Sequence, residues 1–141
     1  MVEKLDMRTR TNVEQPLDCK GLTGPLKSPD GNEVYYGQVR GEMKHGWGKQ
    51  IIDNSVFYQG FFVNDRPEGW GLQVHAGGEC FIGSWKKGDL NGHAEYHHKN
   101  GCYYKGAWKD HKQEGYGEEE VYDDPNETKY IGNLIFFLKN F

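Results

Sequence analysis

The sequence lacks any apolar run long enough to cross a membrane. A spanning helix needs about 18 consecutive apolar residues, and no such stretch is present. The start, MVEKLDMRTRTNVEQ, also has no apolar segment of the kind found in secretory signals. We therefore expect a cytoplasmic protein. With 141 residues, of which 35% are hydrophobic, the chain has room for one domain with a thin core.

Cysteine and excess positive charge are scarce as well. Cys19, Cys80 and Cys102 form neither a C-x-x-C pair nor an even disulfide framework, so we expect reduced structural thiols in a reducing compartment. Lys and Arg number 17 against 21 Asp and Glu. Because this balance gives no bulk positive field, we expect no nucleic-acid partner, although a local basic patch is compatible with it.

Catalytic and ligand-binding motifs are missing too. There is no G-x-S-x-G elbow and no phosphate-binding G-x-x-x-x-G-K-[ST] loop. His93 and His97 fall on one strand face, but about 13 Å apart, which is too far to share a metal ion without help from another strand. We therefore expect no metal, no cofactor, no small-molecule substrate and no enzymatic activity.

What the sequence has in quantity is glycine, 20 residues in all, placed at regular intervals beside aromatic residues. An aromatic residue recurs every 23 residues, with glycine two and eleven places after it. Another glycine follows at place thirteen, where Ala94 stands in once. This pattern predicts a repeat protein. The recurring aromatic residues are Tyr35, Tyr58, Phe81 and Tyr104.

Each copy reads as a β-hairpin, because runs of aromatic and β-branched residues alternate with glycine and polar turn residues. The predicted fold is all-β: an elongated, single-layer, twisted antiparallel meander of hairpins. Because side chains alternate between the two faces of a strand, a 23-residue repeat would change faces from one copy to the next. An odd, three-residue turn near 76–78 combined with an even turn near 65–68 would keep equivalent residues on the same face. On that register Phe62 lies opposite Gly69, and Gly60 lies opposite Gly71.

Side-chain alternation then divides the sheet into two faces. The first, called the core face below, is a ladder of large aromatic residues on a glycine floor that includes Gly60, Gly69 and Gly71. Its predicted repeat-core residues are Tyr35, Tyr58, Phe62, Phe81, Trp85, Tyr104 and Trp108, with Val39 at the equivalent place in the first copy.

The opposite surface, called the second face below, is apolar only in its N-terminal half. An exposed apolar area of this size usually marks an interface, so we expect it to be covered by the N-terminal arm, a second copy or another protein. Its C-terminal half carries His93, Glu95, His97, Lys105, Glu118 and Glu120 instead. The predicted partner-binding residues are Tyr36, Trp47, Phe57, Phe61, Trp70, Leu72, Val74 and Ile82, with Val34 and Ile51 beside them.

The two ends differ from the repeats. Residues 1–27 show no periodicity and are expected to form an extended arm, so the sheet domain is placed at 28–141. Its full copies start near 35, 58, 81 and 104, and a partial copy starts at 130. The tail LIFFLKNF is predicted to be a hydrophobic edge strand that invites docking, which adds Phe136 and Phe137 to the partner-binding set.

The four copies YYGQVRGEMKHGWG, YQGFFVNDRPEGWG, FIGSWKKGDLNGHA and YKGAWKDHKQEGYG resemble the MORN repeat, Y-x-G-x-W followed by G and H-G-x-G. Val39 and Phe62 depart from the tryptophan of that pattern, only Gly88 keeps its middle glycine and only His45 its histidine. The resemblance implies a non-catalytic scaffold of cytoskeletal assemblies, such as the radial spokes of a ciliary or flagellar axoneme. It also implies protein partners, including self-association, and contact with acidic phospholipids.

Three interpretations compete for the function. The first is a protein-interaction scaffold of a cytoskeletal, ciliary assembly. The second is a peripheral membrane adaptor that binds acidic lipids through Lys86, Lys87, Lys105, Lys109 and Lys112, although nearby acidic residues weaken this positive face. The third is a module of a larger enzyme whose catalytic part lies elsewhere. The aromatic series Trp47, Trp70, His93 and Tyr116 could also stack bases, but the net negative charge favours protein packing.

Overall fold

The computed structural model describes residues 21–121 and 128–134, and side-chain surroundings are defined for 21–120. Within these ranges ten antiparallel strands form one sheet in sequence order, which confirms the predicted single-layer meander. Within the described ranges no helix is long and apolar enough to cross a membrane. The strands are β1 (Leu22–Lys27), β2 (Glu33–Arg40), β3 (Met43–Ile52), β4 (Val56–Val63), β5 (Arg66–His75), β6 (Cys80–Lys86), β7 (Asp89–His97), β8 (Tyr103–Lys109), β9 (Lys112–Val121) and β10 (Thr128–Leu134).

Two kinds of turn alternate along the chain. The three-residue turn at 76–78 is as predicted, because Gly78 has φ 96° and its N–H donates to His75 O at 2.9 Å. The even turn is a two-residue turn at Asn64 and Asp65, one residue earlier than the predicted range. Both have positive φ, 48° and 69°, as the type I′ turn that suits twisted hairpins requires.

The register within a hairpin differs from the prediction at one place. Gly60 lies opposite Gly71 as expected, but Phe62 lies opposite Pro67 rather than Gly69. The reason is a bulge in β5. Between these two residue pairs the chain advances four residues in β5 but only two in β4, and Gly69 within the bulge takes φ 73°. The large residues instead face bulge glycines of the preceding repeat, in the pairs Phe62–Gly46, Trp85–Gly69 and Trp108–Gly92.

The side chains of the core face bury one another by ring packing and by hydrogen bonds to the backbone. The Tyr58 hydroxyl donates to Phe61 O at 3.2 Å, and the Trp85 Nε1–H donates to Gly71 O at 3.2 Å. Tyr58 packs edge-to-face on Phe62 and Trp85, with ring centroids 5.0 and 5.4 Å apart. Six of the seven predicted core residues are buried, and Phe81 is partly buried against them. The buried set is Tyr35, Tyr58, Phe62, Trp85, Leu90, Ala94, Tyr104 and Trp108.

The sheet begins before the boundary expected at residue 28. Leu22–Lys27 pairs with β2 as β1, so this part of the expected arm belongs to the sheet. At the other end Tyr130 lies in β10, opposite Glu119. Residues 1–20 and the tail residues Phe136 and Phe137 lie outside the described part of the chain.

Candidate protein-interaction face

The predicted partner-binding residues in β2–β6 share one face of the sheet. Cross-strand pairs join Trp47 to Phe61 in β3 and β4, and Leu72 to Ile82 in β5 and β6. These positions alternate with those of the buried core residues. The structure therefore brings eight predicted residues together: Tyr36, Trp47, Phe57, Phe61, Trp70, Leu72, Val74 and Ile82.

This apolar half of the second face is accessible to solvent in the structure. Tyr36 is 51% exposed and Ile51 is 39% exposed, while Trp47 and Phe61 are half-buried. The half-burial comes from mutual packing, since the Trp47 and Phe61 rings meet edge-to-face at 5.5 Å. The rings are thus held in place while one side of each stays available to a partner.

Strand β1 also contributes to this face, which was not predicted from the sequence. Leu22, 53% exposed, lines a recess of about 430 Å³ with Thr23, Tyr36, Trp47 and Lys49. This region was assigned to the arm because it carries no repeat glycine pair.

The rim, the long edge of the sheet where the two-residue turns lie, carries positively charged side chains. Arg66 and Lys87 line a recess of about 570 Å³ with Val63, Asn64 and Glu68. The Glu68 carboxylate accepts a hydrogen bond from the Lys87 backbone N–H at 2.8 Å. This carboxylate holds two successive hairpins together.

In the C-terminal half of the second face, several charged side chains pair with their neighbours. Glu95 accepts from Lys105 Nζ at 2.7 Å and lies 3.3 Å from His97 Nε2. Burial acts to raise the pKa of Glu95, but the hydrogen bonds from Lys105 and His97 outweigh it and the pKa is lowered. Tyr103 donates to Glu118 at 2.7 Å. Within the described residues, no three His, Cys, Asp or Glu side chains are placed to hold a metal ion.

The tryptophans of the two faces differ in hydrogen bonding. On the core face, Trp85 donates to Gly71 O at 3.2 Å and Trp108 donates to Ala94 O at 3.0 Å. On the second face, Trp47 Nε1 and Trp70 Nε1 donate to none of the described residues, and neither atom is buried. The second face therefore presents indole donors as well as apolar surface.

No family model and no curated protein matches the sequence. The resemblance to the MORN repeat therefore stays a prediction based on the spacing of aromatic and glycine residues. The structure adds a repeated hairpin at each copy, with β2, β4, β6 and β8 carrying the recurring aromatic residues.

Proposed function

We propose that this chain is a non-enzymatic scaffold whose apolar half of the second face binds another protein. The observation that carries the proposal is the asymmetry of the sheet. The core face is buried by its own ladder of rings, while the opposite face leaves Tyr36 half exposed beside other large apolar residues. An apolar area that the fold does not need for its own core is typical of an interface.

The residue types support a protein partner. Tryptophan and tyrosine dominate binding energy in protein interfaces, because they combine a large apolar area with a polar atom. Trp47, Trp70 and Tyr36 provide both, and the packing of Trp47 on Phe61 fixes its ring before binding. Rings fixed in advance lose little conformational entropy when a partner docks.

The cellular setting is proposed from the resemblance alone. The likeness to MORN repeats supports a cytoplasmic, cytoskeletal assembly, with a ciliary or flagellar axoneme and its radial spokes as the proposed site. A hairpin array with a self-contained core suits a scaffold, because each repeat adds docking surface without changing the fold.

The proposal is tested by affinity capture from cells that express the tagged chain. The double variant Phe61→Ala/Trp70→Ala removes two rings from the second face. The control Ile52→Ser removes an apolar side chain that is 37% exposed at a strand end on the opposite face. We expect a stoichiometric set of proteins that is lost with the double variant and kept with the control. Identical partners for all three proteins would contradict the proposal.

A membrane adaptor is the second candidate, and the cationic side chains of Arg66 and Lys87, which line one recess, favour it. Interfacial anchors, however, enter the headgroup region by projecting from the surface. Trp47 and Trp70 are instead half-buried in a sheet face. Flotation of the purified protein with anionic vesicles, lost in the double variant, would favour the adaptor.

A further inference from the structure

One aromatic row crosses the second face, with one member in each repeat. It consists of Trp47, Trp70, His93 and Tyr116, which lie in β3, β5, β7 and β9. Their exposure rises along the row, from the half-buried tryptophans to Tyr116, which is 64% exposed. All four side chains carry a hydrogen-bond donor, and no described residue accepts a hydrogen bond from any of them.

The spacing of the row is set by the sheet. Successive members are two strands apart, and strands lie about 4.8 Å apart, so the rings recur about every 9.5 Å. A polyproline II helix rises about 3.1 Å per residue with three residues per turn, which gives about 9.3 Å per turn. We propose that the aromatic row binds a proline-rich segment in this conformation, running across the strands. This inference rests on the proposed protein-binding function and specifies its partner.

Neither a helix nor a strand suits this row as well. An α-helix uses its carbonyls in its own hydrogen bonds, so it offers no acceptors to the indole N–H groups of Trp47 and Trp70. In a β-strand, residues three apart point to opposite sides. In polyproline II, residues three apart point the same way and the carbonyls are free. Only this last conformation repeats both an apolar ring and an acceptor at the spacing of the row.

Small side chains between the rings leave room for proline. Ser84 lies opposite Trp70, and Ala107 lies opposite His93. Each gives a slot between successive rings of the aromatic row. Between Trp47 and Trp70, by contrast, Phe61 occupies the intervening strand and packs on Trp47. The segment would therefore enter the slots at Ser84 and Ala107 and lie against the filled surface at Phe61.

The four tryptophans provide a direct readout. In ¹⁵N-labelled protein each indole N–H gives its own resonance, assigned by single Trp→Phe variants. Titration with dodecaproline should shift the Trp47 and Trp70 resonances in a saturable way, with those of Trp85 and Trp108 unchanged because their donors are satisfied in the core. A glycine-serine peptide of equal length should shift none. Absence of a saturable shift with dodecaproline, or equal shifts at the core indoles, would overturn the inference.

Two variants separate the contribution of the indole donor to peptide binding from that of the slot between the rings. Trp70→Phe keeps a ring but removes the N–H, and we expect binding about fivefold weaker, the value of one net hydrogen bond. Ala107→Phe fills a slot and removes no donor, and it should weaken binding at least as much. Ile52→Ser should bind as the wild type does. Unchanged binding by both Trp70→Phe and Ala107→Phe would contradict docking on the aromatic row.

The outcomes also separate this inference from the proposed function. If dodecaproline does not bind while Phe61→Ala/Trp70→Ala still loses its captured partners, the proline-rich partner is wrong and the scaffold stands. If both experiments fail, both proposals fall. If anionic vesicles shift the Trp47 and Trp70 resonances and the peptide does not, the row is a membrane surface, and the inference is overturned in favour of the adaptor.

Discussion

The Tyr58 ring lies directly on the backbone of Gly71. A Cβ added to Gly71 would come within 2.6 Å of Tyr58 Cζ and closer still to its hydroxyl oxygen. The same relationship joins Tyr35 to Gly48 and Tyr104 to Gly117. In these three repeats the glycine at place thirteen is thus required by the tyrosine that begins the repeat.

Gly71→Ala should therefore destabilise the sheet by about 3 kcal/mol, the upper range for overpacking a core, because the ring cannot move without losing its bond to Phe61 O. Gly88→Ala is the matched control, since no atom lies within 4 Å of its added Cβ and only its φ of 95° is strained. That strain costs roughly 1–2 kcal/mol. Urea unfolding measures both values, and equal losses would contradict the steric explanation.

The third repeat has neither the tyrosine nor the glycine at place thirteen, and this joint replacement supports the relationship between the two positions. Phe81 replaces tyrosine and Ala94 replaces glycine in the same copy, and Ala94 is fully buried. A missing hydroxyl thus accompanies an added methyl group. We predict that Phe81→Tyr alone is destabilising and that Phe81→Tyr/Ala94→Gly recovers at least about 1 kcal/mol of the loss. A double-mutant cycle in urea measures this coupling, and additive effects would show that the two positions are independent.

The core tryptophans should differ from those of the second face in their contribution to stability. Trp108→Phe leaves the buried Ala94 carbonyl without its donor, now 3.0 Å away, so the free energy of unfolding should fall by about 1–3 kcal/mol. Trp70→Phe removes no hydrogen bond to a described residue and should change the free energy of unfolding by less than about 0.5 kcal/mol. Thermal unfolding compares the two variants. A larger loss for Trp70→Phe would mean that the second face also stabilises the isolated sheet.

Alkaline pH should unfold the protein through its buried tyrosines. Burial, with a smaller contribution from Asp65, raises the pKa of Tyr35 from 10.0 to about 12, and burial also raises the pKa of Tyr58. A raised folded-state pKa means that the stability is fully present below about pH 10 and is lost as pH rises towards 12. Urea unfolding across this range measures the loss, and Tyr35→Phe should reduce it. A stability that stays constant across the range would contradict the burial of these phenols.

The sequence allowed much of this arrangement to be predicted, because the 23-residue period fixes which side chains share a face. The three-residue turn was readable from Gly78. The position of Phe62 was not, because the bulge at Gly69 inserts residues without changing the alternation of side chains, so a pattern based on alternation cannot detect it. The two-residue turn was predicted to begin at residue 65 but begins at Asn64, although Asn64 and Asp65 are both residue types that tolerate the positive φ this turn requires.

The candidate site likewise has features that the sequence predicted and features that it did not. Its apolar residues followed from alternation along β2–β6, whereas the recess at Leu22 depends on β1, which lacks the repeat pattern. That the indole N–H groups of Trp47 and Trp70 donate to none of the described residues could not be read from the sequence either. All four tryptophans occupy repeat positions, and only the packing shows that Trp85 and Trp108 donate to backbone carbonyls of the core.

The central claim is that the second face binds a protein, and site-specific photocrosslinking in cells tests it most directly. A photoreactive phenylalanine analogue replaces Tyr36, which is 51% exposed on that face, or Ile52, which is 37% exposed on the other. The account predicts discrete crosslinked protein bands from position 36 and none of them from position 52. Lipid adducts alone at position 36, or the same bands from both positions, would contradict it.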